Sequence, residues 1–397
     1  MKRLTILVAV AALSAAACQE KLASPTECPE LCPGNSLDVQ EVVLLPVTGA
    51  DSSYTGYLSA SEIPALLVSD GIDAGEARSF MAFPRQADST TVDGVAVPIT
   101  TDSVAIVFTL LARDSTVPGL KLFLHRVSPD LDTTATLGDV DGALTPESLI
   151  DSLLVPDSVR RGAVRLIVTG PTLARLIPTD GDSGRIGIGV RVGADEPTGV
   201  RLGATGGTES PGIITYAKAV VTDTAKQRQT LTRVATAANY VIETPPAPGP
   251  ASIYLGGRHG SRALIRFVLP ADIKDSASVL RATLELTPTG PIKGLRNDAA
   301  SLLFRGVAAD IGAKSPVISG LGGSAPIPTG ATSVQSFDVG TIVASWFSIN
   351  PPPTAILIGL SPEGGSFSLP EFFSSRDAAM TPRLRITYAL PSRPGHP

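Results

Sequence analysis

Catalysis needs convergent groups, and this chain offers few. It has three histidines (His125, His259 and His396), three cysteines (Cys18, Cys28 and Cys32) and one tryptophan, Trp346. His125 and His259 lie in separate segments, with no cysteine or second histidine near either. The spacing supports neither a zinc site nor a Ser-His-Asp triad, and both read as ordinary strand or loop residues. No Gly-x-Ser-x-Gly elbow is present. Asp139-Val140-Asp141-Gly142 hints at a calcium loop, but Leu137 and Ser148 stand where an EF-hand needs acids, so it reads as a turn. Gly187-x-Gly189 lies inside a strand pattern with no helix opening after it, which argues against a dinucleotide fingerprint. Acids at strand positions of the second half are sparse, and Asp338 aligns with Ile167 of the first half, not with another acid. The expectation is a non-catalytic protein with no metal site and no cofactor.

What remains is recognition. Sugar rings stack on exposed aromatic faces, and Tyr254, Phe372 and Phe373 are the candidate ligand-binding residues. Trp346 closes the apolar-periodic stretch Ile342-Val343-x-x-Trp346 and is expected in a core. Net charge is −5 and no basic run stands out, so nucleic acid is not an expected partner.

The N-terminus reads as an address. Met1-Lys2-Arg3 is a positive start and Leu4 to Ala17 an apolar stretch too short to span a bilayer. Ala15-Ala16-Ala17 fits the small-x-small rule of ordinary signal peptidase. Ala15-Ala16-Ala17-Cys18 also resembles a bacterial lipobox, although Ala15 stands where that pattern prefers Leu. Lipidation at Cys18 would leave Cys28 and Cys32 as an even pair in an exported protein, where an odd thiol is a liability. Cys18 is therefore expected to carry the membrane anchor. Cys28 and Cys32 are expected to form a disulfide in the tether, rather than a metal or redox pair. Gln19 after the cysteine resembles the outer-membrane sorting habit of enteric bacteria.

Behind these residues lies an internal duplication. Ile213-Ile214-Thr215-Tyr216-Ala217 is echoed by Arg385-Ile386-Thr387-Tyr388-Ala389, and Arg78 to Phe83 by Arg262 to Phe267. Phe337 to Trp346 answers Val164 to about Leu176, and Thr354 to Leu360 answers Arg185 to Val192. Short alternating or apolar runs separated by Gly and Pro, at 38 and 34 residues, argue for many short strands and an all-β fold. The expected plan is a signal peptide (1–17), a tether (18–39), a first β-sandwich repeat (40–218), a linker (219–235), a second repeat (236–390) and a tail (391–397). Both repeats are expected to be jelly-roll-like. One short helix is expected between Thr145 and Leu154, with Thr145 as cap and Pro146 first in the helix.

The second repeat resembles the DNRLRE domain, a surface β-sandwich related to carbohydrate-binding modules of jelly-roll type. The resemblance runs from Tyr240-Val241 through Ile253-Tyr254-Leu255-Gly256, Ala263 to Phe267, Leu269-Pro270 and Ala282 to Leu286. It continues with Phe337-Asp338-Val339, Trp346, Ser374 to Asp377 and Pro382 to Tyr388. The resemblance implies glycan as a partner; with the N-terminal address, the duplication and the lack of catalytic groups, the expectation is a non-catalytic, lipid-anchored envelope protein with a structural or adhesive role. The alternative is a protein-binding subunit of an envelope complex, using sheet faces or edges.

Overall fold

The computed structural model describes residues 38–390, apart from 60–61, 177–183, 206–208, 244–248, 275–276, 299 and 349. The signal peptide, the tether up to residue 37 with Cys18, Cys28 and Cys32, and the tail lie outside the described residues. The fold is all-β. The chain enters as β1 (Asp38–Leu44) and β2 (Ser52–Thr55), followed by β3 (Ala65–Asp70), β4 (Ala77–Phe83), β5 (Ser89–Val92) and β6 (Val95–Arg113). Next come β7 (Lys121–Val127), helix α1 (Leu137–Ala143), β8 (Leu149–Leu154), β9 (Gly162–Thr169), helix α2 (Gly170–Leu176), β10 (Ile186–Gly193), β11 (Thr198–Gly203) and β12 (Gly212–Ala219). The second half opens with β13 (Arg228–Val234), β14 (Ala237–Ile242), β15 (Ser252–Tyr254), β16 (Ser261–Arg266), helix α3 (Ala271–Lys274) and β17 (Ser278–Leu286). It ends with β18 (Ala300–Val307), β19 (Val317–Ile327), β20 (Gln335–Asp338), helix α4 (Gly340–Ser345), β21 (Ala355–Ser361), β22 (Glu371–Phe373) and β23 (Arg383–Leu390).

The duplication reappears as topology. One lobe holds the neighbour series β13-β12-β6-β9 and β14-β4-β10-β7-β8; the other holds β1-β23-β17-β20 and β2-β16-β21-β18-β19. The echoed stretches occupy matching places: β12 with β23, β4 with β16, and β10 with β21. The strand-helix pair β9-α2 matches β20-α4. In the first lobe β3 and β11 bridge the two series into one twelve-stranded sheet. In the second the small ribbon β15-β22 stands apart.

The strand pairing crosses the expected boundaries. β1 and β2, at the head of the first repeat, pair with β23 and β16 of the second. β13 and β14, at the head of the second, pair with β12 and β4 of the first. Each half thus donates its two opening strands to the other. The residues expected as a linker include β13, which matches β12 over seven residues. The cores follow the exchange: Ala235, Ala238 and Tyr240 lie in the first core and Leu44 in the second.

Two local features differ from expectation for physical reasons. The helix sits at 137–143, not after Thr145, and residues 149–154 pair with β7 as a strand. Thr136 accepts from the Asp139 N–H, while the Asp139 carboxylate accepts from the Thr136 N–H at 2.8 Å. This reciprocal cap starts a helix where the acids had suggested a turn. The hairpin β5-β6 turns on Asp93 and Gly94, both at positive φ, the conformation of a tight two-residue connection.

Candidate functional site

The aromatics singled out in the sequence do not converge. Phe372 is fully buried in the second core, opposite Ile253. Neighbouring strand residues face opposite ways, so Phe372 and Phe373 cannot share a platform. Phe373 is partly exposed, opposite Ser252. Tyr254 packs against the first core, and burial pushes its hydroxyl pKa up. Trp346 is 1% exposed and packs on Phe267. His125 is buried and ties the segment after α1 to β7, its Nδ1 3.0 Å from the Thr145 carbonyl oxygen; burial lowers its pKa. His259 stacks on Tyr240 at 5.3 Å between ring centroids. Among the described residues there is no group of three or more His, Cys, Asp or Glu placed to hold a metal ion.

The side chains that do converge lie on the outer face of β2-β16-β21-β18-β19. Register sets them in rows: Tyr54, Arg262, Gly359, Leu303, and beside it Ser52, Leu264, Leu357, Arg305. Tyr54 and Tyr57 stack with centroids 5.4 Å apart and planes 16° from parallel. Arg262 donates from Nε to the Tyr57 hydroxyl at 2.9 Å and from one terminal nitrogen to both Glu363 oxygens at 3.0 and 2.8 Å. Its guanidinium lies 4.6 Å from the Tyr57 ring centroid, and the Lys314 ammonium lies 4.2 Å from that of Tyr54. Such contacts orient the rings and hold the charges in place. Burial, with Glu363 beside it, pushes the Tyr57 hydroxyl up to about 12.

Local sequence explains the placement. Gly56 and Gly260, at positive φ, let the chain turn after β2 and before β16, and the Gly56 N–H donates to the Gly260 carbonyl. Gly359 opens the middle of the first row: a Cβ there would meet nothing closer than 3.8 Å. The far end of the face is closed. Arg266 forks onto Asp310 with two bonds of 2.6 Å, which draws the 308–316 loop over the buried Leu264, Val307, Ala355 and Leu357. The acids Glu363 and Asp310 are thereby matched by arginines. Lys314, which reaches from that loop to Tyr54, has no carboxylate partner among the described residues, so the face carries a surplus positive charge.

This arrangement gathers two tyrosine rings, a planar donor and a carboxylate acceptor on one sheet face. It lacks a free acid-base pair. Sequence reading missed it because Tyr54 and Tyr57 were assigned to the first repeat, far in sequence from Arg262, Lys314 and Glu363. A usable signal was present. Asp51-Ser-Ser-Tyr-Thr-Gly-Tyr places two tyrosines in a polar, turn-rich stretch that has no core to fill.

No known protein family's profile matches the chain, and no curated protein matches it. Among solved structures, the crystal structure of infectious bursal disease virus VP2 subviral particle aligns at 13% identity. That alignment covers 93% of this chain and 80% of that one, with a TM-score of 0.15, too low to indicate a shared fold.

Proposed function

We propose that the chain is a non-catalytic, lipid-anchored protein of the bacterial envelope that binds glycan on the open face of its second lobe. The observation that carries this reading is the Tyr54–Tyr57 stack braced by Arg262, Glu363 and Lys314. The ring faces are engaged by each other, Arg262 and Lys314, so a pyranose lies against the outer edge of the tyrosine stack, and its hydroxyls exchange hydrogen bonds with the Arg262 guanidinium and the Glu363 carboxylate. The unmatched Lys314 favours sugars bearing carboxylates. Cys18 carries the acyl anchor, at the outer membrane by its Gln19 neighbour, and Cys28 and Cys32 close a small disulfide loop in the tether. The tether runs directly into β1 and β2, so the segment that holds the membrane also brings the tyrosines to the site.

Affinity electrophoresis of the full chain over neutral and anionic polysaccharides tests the binding. Retardation by at least one is expected. It is lost in Tyr54→Ala and Tyr57→Ala and kept in Phe373→Ala. No retardation across the panel, or equal loss in all three variants, would sink the proposal. The anchor is tested by intact mass: a diacyl or triacyl increment on the native protein, absent from Cys18→Ser.

A further inference from the structure

We propose that the segment covering the first lobe, residues 128–148 between β7 and β8, is a lid that acid releases, with His125 as its latch. The lid closes on the sheet through apolar contacts. Val140 and Leu144 are buried against Phe80 of β4, Val127 of β7 and Val241 of β14. Two polar ties accompany them. Arg78 holds Asp141 of α1 at 2.7 Å, and His125 holds the point where the lid runs into β8.

The second tie fixes the protonation of the ring. The Thr145 carbonyl oxygen, 3.0 Å from Nδ1, is an acceptor only, so Nδ1 carries the proton and Nε2 of the neutral ring is bare. The Ser148 hydroxyl lies 3.1 Å from Nδ1 and donates to the Ala143 carbonyl at 2.8 Å. Nε2 is shut off from solvent and meets no partner among the described residues. A second proton has to go to that nitrogen, where it makes a buried cation with an unpaired N–H.

The charged groups around the ring do not offset this. β10 contributes Arg191, a second positive charge. On β8, Asp151 is exposed and in register with Leu124. In the lid, Glu147 is exposed and bonded to the Thr145 side chain, and Asp141 is taken by Arg78. On β7 itself, Lys121 is exposed and Arg126 donates to the Arg185 carbonyl. Burial first, and Arg191 after it, lower the His125 pKa against the pull of the Thr145 bond. The neutral ring's contribution is therefore complete above about pH 6.5, the unfolded value, and is lost as pH falls through the lower folded one. Lifting the lid brings water to Nε2 and leaves β7 paired with β10 over seven residues. It also bares Phe80, Val127 and Val241 as one apolar surface.

The test is amide hydrogen exchange on the full chain at pH 7.5 and 5, corrected for the intrinsic effect of pH. The Val140 and Leu144 N–H groups donate within the lid and report its closure. Their protection is expected to fall about tenfold or more at the lower pH, with binding of an apolar dye, while Ile188 of β10 and Trp346 fluorescence stay unchanged. His125→Asn keeps a donor at the Nδ1 position and takes up no proton, so it is expected to abolish the step. His259 borders the trough beside Thr136 and its pKa is lowered too, so His259→Gln is the control that should keep the step. In the native chain, the His125 ring resonances should titrate together with the opening, which needs no variant to fold. Equal protection at both pH values would overturn the proposal. So would an undiminished step in His125→Asn, its loss in His259→Gln, or simultaneous loss of protection at Ile188, which would mean that the whole lobe melts.

Discussion

Arg78 and Arg262 stand at the same place in the two lobes, and they have opposite surroundings. Arg78 lies on the outer face of β4 with its side chain 9% exposed, bonded to Asp141 at 2.7 Å, Glu76 at 3.0 Å and the Ser69 carbonyl at 2.5 Å. Asp141 belongs to α1, so this arginine holds the helix down as a cover. Beneath the cover, Phe80, Val127, Val140, Leu144 and Val241 form a small apolar pad. Gly187 and Gly189 of β10 make it fit: a Cβ would meet the Val127 carbonyl oxygen at 2.4 Å in one case and the Leu144 side chain at 2.5 Å in the other. Arg262, 27% exposed, holds Glu363 and Tyr57 instead, and the matching connection on its lobe, residues 308–316 between β18 and β19, is shorter and closes only the far end of the face. One scaffold thus carries a covered face and an open one, and the length of a single connection decides which. This is why the second lobe, and not the first, carries the candidate site.

The comparison can be broken or sharpened by experiment. The largest effect is expected where the lobes meet. Arg201 of the first lobe pairs with Asp298 of the second at 2.6 Å, with side chains 11% and 6% exposed, and burial raises the Asp298 pKa against the pull of Arg201. Arg201→Met strands that carboxyl and should cost about 3–5 kcal/mol in urea unfolding, much of it recovered by adding Asp298→Leu. Trp346, the single tryptophan and buried in the second core, reports whether that lobe follows the first. Next comes the arginine pair itself. Arg78→Ala should cost about 1.5–3 kcal/mol through its lost charged hydrogen bonds. Arg262→Ala should cost no more than about 1 kcal/mol, as partly exposed ion pairs do, and should weaken glycan retention instead. Equal stability losses would erase the distinction between cover and site. The smallest effect is a pH dependence. The Tyr57 hydroxyl ionises near 10 in the unfolded chain and at about 12 in the folded one, so its neutral form stabilises the fold fully below about pH 10. That contribution fades as pH rises through 12. Unfolding midpoints measured from pH 9 to 12 should fall less steeply in Tyr57→Phe than in the native protein. Part of the fall should persist in the variant, because burial also raises the pKa of Tyr240 and Tyr254.

Strands were legible because alternation and β-branched runs are local signals. Arg78 to Phe83 and Arg262 to Phe267 became matching strands, and the echo at 213–217 and 385–389 became matching strands, each one in from the edge of its series. The exchange was not legible, because pairing Asp38 with Leu390 or Ile242 with Ala77 leaves no trace in either neighbourhood. Residues 228–234 looked like linker because an edge strand buries so little of itself. The helix was displaced by a few residues because two plausible threonine caps lie close together, and Asp139 decided for Thr136. The tyrosine site was hidden for the same reason as the exchange: its members are gathered from 54, 262, 314 and 363. Phe372 and Phe373 looked alike in sequence, but the strand pleat separates them.

The exchange also sets an order of manufacture. Translation delivers β1 before any other described strand, and its partner β23 after all of them. The first lobe can close once β14 has left the ribosome, whereas β1 and β2 must wait, unpaired, for the second half. Closing a loop of this size, rather than a ten-residue one, adds about 3 kcal/mol of entropy cost. The second lobe should therefore lock last and slowly, as contacts distant in sequence do. During that wait the chain presents Val42 and Val43 as an open strand. A chain cut short before residue 383 would keep the strands of the first lobe and leave β1 without its partner.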